Sequence, residues 1–249
     1  MRRVCLFAGC CLIAFLGLLS VGCEHLDSDL AMSAASDVIR AATITDQQIL
    51  ELSDQAKQDL DSRHKLLGVD TTHGQRLARL MAPHQNFKQL RLDARVYQSD
   101  TPNAFAMANG TIRVHSSLMD LMADEELLFV IGHEIGHIEL GHSLRKAQYA
   151  YSISAVRKGV GAVAGPLGEV VRGQIGALSE AMIGARFSRD EERSADDFGY
   201  RFLVEQGYSP QAGVTALEKL GGGQSGLARL LSSHPDPKAR ADRLRGRLP

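Results

Sequence analysis

Residues 133–137 read His-Glu-Ile-Gly-His. On a helix, His133 and His137 lie one turn apart, so both imidazoles leave the same face and can grip one metal ion. Glu134 stands beside them, placed to take a proton from a water activated at that metal. This is the HExxH pattern of a zinc-dependent peptidase. The flanks Glu125-Glu126-Leu127-Leu128-Phe129-Val130-Ile131 and Ile138, Leu140 suit a buried helix. A chain with 9 His in 249 residues throws up such a motif by chance about 0.015 times. The motif therefore needs a third ligand, because a catalytic zinc usually has three protein ligands and keeps a fourth position open.

The spacing HExxHxxGxxH would put that ligand at position 143, which is Ser143. His142 is nearby, but at about 100° per residue a continuing helix turns it roughly half a turn from the metal face; it is expected to support the site or to end the helix. A better source is Ser188-Arg189-Asp190-Glu191-Glu192-Arg193-Ser194-Ala195-Asp196-Asp197. Glu192 and Asp196 are again one turn apart. Glu192 could bind the metal while Asp196 orients a ligand histidine through its free ring N–H. Read alone, the same run is also an ordinary charged helix face.

HEIGHIELGH followed by ERSAD resembles the HtpX-like metallopeptidases, relatives of the CAAX prenyl proteases. The resemblance runs from about residue 35 to the C-terminus and is greatest to the family's small periplasmic lipoprotein members. It implies a zinc endopeptidase with one Zn2+ per chain, held by His133, His137 and Glu192, with Glu134 as general base and Asp196 behind the ligands. Asn103, Ala104, Phe105 and Ala106 are similar to the family's strand before the active helix, and Ser233-His234-Pro235 with Arg240 to its C-terminal His-Pro element. His234 then has two open roles. It could stabilise the oxyanion, or occupy the fourth zinc position and hold the enzyme idle. The implied task is cleavage of misfolded or unassembled envelope proteins, with envelope assembly or protease complexes as further partners. The alternative is a zinc-stabilised, non-catalytic lipoprotein that scaffolds outer-membrane assembly; Glu134 argues against it, since a structural site has no use for that carboxylate.

The N-terminus carries its own signal. Arg2-Arg3 precedes 18 residues from Val4 to Val21, almost wholly apolar and ending in small residues, the pattern of a secretory signal. Val21-Gly22-Cys23 resembles a bacterial lipobox, with Ser20 where Leu is usual. An uncleaved membrane anchor is the other reading, since about 20 apolar residues span a bilayer. Of Cys5, Cys10, Cys11 and Cys23, cleavage after Gly22 keeps Cys23 alone, as a lipid attachment site; several acyl chains, palmitate among them, would hold the chain stably to a membrane. Glu24 after it points to the outer membrane, facing the periplasm. The expected organisation is therefore a signal over 1–22, a lipidated tether over 23–42 and a metallopeptidase domain over 43–249. Losing Arg2 and Arg3 takes Lys+Arg from 28 to 26 against 29 Asp+Glu, a net of about −3, without the basic patch that nucleic-acid binding needs.

The elements that must position these residues read as α+β, mainly helical, a zincin-like domain with a small antiparallel sheet preceding the HExxH helix. Thr45 to Gln48 offers a capping box for a helix reaching about Leu67, and a second helix is expected over 74–82. Leu92, Ala94 and Val96 alternate with charged residues. Asn109-Gly110 between Phe105-Ala106-Met107 and Ile112–Val114 is a hairpin signal. Its outer strand is either a docking edge for extended peptides or a plain structural hairpin. The Gly- and Ala-rich stretch 146–187 predicts helices broken near Gly165-Pro166, as a cover over the cleft or as a close-packed pair. Ser209-Pro210 and Asp236-Pro237 each read as an N-cap followed by Pro at the first helical position. They predict two short helices separated by Gly221-Gly222-Gly223.

Overall fold

The computed structural model describes residues 44–84, 86–87, 90–161, 170–223 and 226–249. The expected signal segment, Cys23 with the expected tether, and the expected break at Gly165-Pro166 lie outside the described residues. The first helix, α1 (Asp46–Arg63), begins with the expected capping box: Thr45 accepts from the Gln48 N–H and Gln48 returns to the Thr45 N–H. It stops earlier than Leu67 because His64 is extended and Leu66–Leu67 form a short strand, β1. Helix α2 (Thr72–Met81) follows, with Thr71 as its N-cap. A two-stranded ribbon, β2 (Asn86–Phe87) and β3 (Leu90–Arg91), precedes the main sheet.

That sheet has four strands in the order β1, β4 (Asp93–Tyr97), β6 (Thr111–His115), β5 (Ala104–Ala106). The β5–β6 pair is the expected antiparallel hairpin, turned at Gly110 with φ +87°, a region that glycine enters without steric cost. The sheet as a whole is mixed and not purely antiparallel. After β4 the chain passes to the outer edge as β5 and returns as β6 between β5 and β4, so β4 and β6 run parallel. On β6, Arg113 is fully buried. Its guanidinium donates to both Asp61 oxygens at 2.9 Å, and so ties α1 to the sheet.

The short helix α3 (Ser116–Leu121) leads into α4 (Asp124–Glu139), the helix of the HExxH motif. Asp124, Glu125 and Glu126 fill its first turn, where negative charge suits the helix dipole, and the Glu126 carboxylate accepts from the Ala123 N–H at 2.7 Å. Every residue from Glu126 to Ile138 is buried, so α4 is the central helix and not a surface one. Helix α5 (His142–Gly161) packs against it, and α6 (Val170–Gly184) packs against α5 and α1. Helix α7 (Arg189–Glu205) packs along another side of α4, and α8 (Gln211–Gly221), α9 (Ala228–Ser233) and α10 (Pro237–Arg245) close the C-terminal side. Three helices therefore stand where two were expected. Asp236 is not a side-chain cap: it takes the left-handed conformation (φ 57°) and makes no cap hydrogen bond. Its carboxylate instead meets Arg189 at 3.2 Å.

Candidate active site

Two helices must meet for this site to exist, and glycine lets them. A Cβ on Gly136 of α4 would stand 2.8 Å from the Phe198 Cβ of α7, and one on Gly132 2.8 Å from the Phe202 ring. From the other side, a Cβ on Gly199 would lie 3.1 Å from the Phe129 carbonyl oxygen. Small residues at facing positions bring the two backbones close. Helix α7 starts at a capping box, Ser188 with Glu191, and places Glu192 one turn in and Asp196 one turn further.

The result is a cluster in which one donor atom each from His133, His137, Glu192 and His234 all lie within 4.8 Å of one another. All four residues are buried. The two histidine Nε2 atoms are 3.0 Å apart, His137 Nε2 lies 3.3 Å from Glu192 Oε1, and His133 Nε2 lies 3.8 Å from Glu192 Oε2. Ligands on a tetrahedral zinc with bonds of about 2.1 Å stand roughly 3.4 Å apart. The donor set, two imidazoles and a carboxylate, and its spacing fit one zinc ion.

Behind the donors, His133 Nδ1 meets Asp196 Oδ1 at 3.0 Å. Asp196 is in turn held by Arg240, whose Nε and Nη2 donate to its two oxygens at 2.8 and 2.6 Å; Arg240 also pairs with Glu192. Burial opposes ionisation of Glu192, but His234 and Arg240 outweigh it and hold its carboxyl far below the usual range. Burial and neighbouring histidines push His137 well down; Asp196 and Glu192 draw His133 up against the same burial. The downward direction at His137 suits the unprotonated imidazole that metal binding requires.

His234 enters from the loop between α9 and α10. Its Nδ1 is 2.9 Å from Glu192 Oε1 and 3.3 Å from His133 Nε2, and its Nε2 is 3.5 Å from Glu134 Oε1. The left-handed turn at Asp236 lets the chain fold straight into α10, so His234 and Arg240 reach the same cluster. An apolar recess opens beside it, lined by Leu217, Leu220, Leu230, Leu231 and Pro237 along with Glu134 and His234.

The structure thus brings together His133, Glu134, His137, Glu192, Asp196 and His234. Asn103, Ala104, Phe105 and Ala106 lie instead at the sheet's outer edge. The Asn103 carbonyl accepts from the His115 N–H, and the Met107 N–H donates to the Thr111 carbonyl. Alternation along a strand then turns the backbone groups of Ala104 and Ala106 to the outer side. The Phe105 ring packs into the core near Tyr97. Ser143, beside His142, reaches the Ala106 carbonyl at 3.4 Å, which links this edge to the site.

Two participants escaped the sequence reading, Phe187 and Lys146, while His142 takes the supporting place expected of it. Phe187 stacks on His137 with ring centroids 3.7 Å apart; a lone aromatic just before the Ser188 cap was its only signal. Lys146 sits 4.1 Å over that ring and donates to the Ile183 carbonyl at 3.1 Å; burial lowers its pKa to about 8. His142 meets His137, Nδ1 to Nδ1, at 2.9 Å. A continuing helix would turn His142 about half a turn from the metal face. In fact α4 ends at Glu139, and Gly141 (φ +71°) starts α5 on a new axis.

Comparison with known sequences agrees with this geometry. A profile described as "Peptidase family M48" matches residues 70–248. The chain is 36% identical over 229 residues to "Metalloprotease LoiP" of Escherichia coli K12, covering 91% of each. It is 35% identical over 241 residues to "Metalloprotease YcaL" of the same organism, covering 95% of each. It is 32% identical over 178 residues to the E. coli "Beta-barrel assembly-enhancing protease", covering 67% of this chain and 36% of that one.

Proposed function

The chain belongs to peptidase family M48 and is a zinc metalloendopeptidase, and we propose that its zinc is held by His133, His137 and Glu192 with Glu134 as the general base. The observation that carries this is the buried convergence of four donor atoms within 4.8 Å, with Glu134 buried beside it. When bound, zinc supplies Lewis acidity toward water and the scissile carbonyl. Glu134 accepts the proton of the attacking water and returns it to the departing amine. Asp196 fixes the ring of His133, and Arg240 holds both Asp196 and Glu192 in place. His234, against Glu192 and Glu134, stands either to donate to the oxyanion or to occupy the remaining zinc position; its contact with both carboxylates favours the second as the resting arrangement.

The outward backbone groups of Ala104 and Ala106 suit pairing with an extended peptide, and the recess at Leu217, Leu230 and Leu231 suits an apolar side chain. The substrates proposed are misfolded or unassembled proteins of the bacterial envelope, with the chain anchored to the outer membrane by lipid on Cys23. Support comes from the signal and lipobox pattern at residues 2–23 and from a relative named for β-barrel assembly. Among the described residues no helix is long and apolar enough to cross a membrane. A purified chain should digest unfolded casein in a zinc-dependent manner. Glu134→Gln should bind zinc normally and lose about 10²-fold or more in rate; a variant cleaving at the parental rate would overturn the assignment of the base.

A further inference from the structure

We infer that His142 is a positioning residue that sets the tautomer of His137: its Nδ1 accepts the His137 Nδ1 proton, which leaves the His137 Nε2 lone pair facing the metal. The inference rests on His137 being a zinc ligand, as proposed above.

The two Nδ1 atoms face each other at 2.9 Å and both rings are buried. One nitrogen must donate and the other accept, since neither can turn to solvent. Ser194 decides which. Its hydroxyl has a single proton, and the Asp190 and Glu191 carbonyls approach its Oγ at 2.9 and 3.0 Å. Those carbonyls can only accept, so they take the proton. The Ser194 oxygen then offers a lone pair to His142 Nε2 at 3.4 Å. His142 Nε2 therefore carries the proton of a neutral ring, and its Nδ1 is bare. His137 must be the donor at the Nδ1–Nδ1 contact.

The consequence appears at the other end of the ring. His137 Nε2 is left without a proton, and it lies 3.0 Å from His133 Nε2. In the neutral ring that atom also offers a lone pair, because His133 donates its Nδ1–H to Asp196. Two lone pairs at this distance repel unless a cation sits between them. The relay from Ser194 through His142 thus prepares the donor pair before metal arrives. The two ligand histidines are supported differently. His133 leans on a carboxylate, which raises ligand basicity; His137 leans on a neutral imidazole, which fixes direction with less electron donation.

Zinc affinity by chelator competition and imidazole 15N spectra of the metal-free protein test this. In the parental chain, His137 should show a protonated Nδ1 and a bare Nε2. His142→Phe keeps a ring and removes the acceptor; it should weaken zinc about 10–100-fold and leave His137 as mixed tautomers. His142→Asn puts an amide oxygen where Nδ1 stood and should return affinity to within about threefold of parental. Ser194→Ala frees the His142 tautomer and should give an intermediate loss. Parental affinity and an unchanged His137 pattern in His142→Phe, a proton on Nε2 in the parental protein, or an Asn variant as weak as Phe would each overturn the relay. His137→Ala separates the two levels. If it retains full zinc, the ligand assignment fails. If it loses zinc while His142→Phe keeps it, only the relay fails.

Discussion

The Nδ1 of His133 and the Oδ1 of Asp196 stand 3.0 Å apart across the α4–α7 interface. This contact joins two motifs separated by more than fifty residues of chain. Asp196 is fully enclosed, so its charge is tolerable only because Arg240 grips both oxygens. Burial works against its ionisation, but Arg240 and His133 win and its carboxyl is held below the ordinary range.

Glu192 and Asp196 should separate by metal content. Glu192→Ala removes a donor and should lose zinc and activity together. Asp196→Ala leaves three donors and should weaken zinc about 10–100-fold. Atomic absorption after dialysis against a buffered chelator distinguishes the two; full zinc in Glu192→Ala would sink the ligand set.

The close approach at Gly136 should be as necessary as the ligands. In Gly136→Ala the new methyl meets the Phe198 Cβ at 2.8 Å and the Ala195 Cα at 3.3 Å, so α7 must shift. We expect a stability loss of about 1–3 kcal/mol in urea denaturation of the metal-free protein. Zinc should weaken as well, because Glu192 and Asp196 ride on the displaced helix. Unchanged stability and zinc binding would show that the interface yields freely.

A pH effect should arise outside the histidine cluster, at Asp93. Burial opposes its ionisation, yet Lys57 at 3.0 Å, Arg113 at 3.2 Å and Arg95 at 2.9 Å hold its pKa at about 2. A depressed carboxylate adds stability above its unfolded value near 3.8, and that stability is lost as pH falls through about 2. With solvent screening the gain is about 1–2 kcal/mol. In EDTA at pH 6 the parental chain should exceed Asp93→Asn by that amount, and the gap should close toward pH 2. A gap equally large at both ends of the titration would contradict the assignment.

Cys23→Ser tests the proposed anchor. The variant should lose lipid and remain an unprocessed or mislocated precursor. An unchanged mature mass with an unchanged membrane fraction would refute lipidation.

Local spacing was enough to read several parts of this protein. His133 with His137, and Glu192 with Asp196, share faces because a helix repeats every turn whatever surrounds it. The Thr45 capping box and the Asn109-Gly110 hairpin were legible for the same reason, since each is settled within a few residues. Tertiary structure decided the rest. Glu192 meets the histidines only because Gly132, Gly136 and Gly199 let α4 and α7 close together. Arg240 and His234 arrive through a left-handed turn at Asp236 that no propensity indicated. The parallel pairing of β4 with β6 depends on where β5 is placed between them in the chain. His142 shows the limit most directly: its direction follows from where α4 ends and how Gly141 restarts the chain, and helical periodicity carries no information once the helix axis has changed.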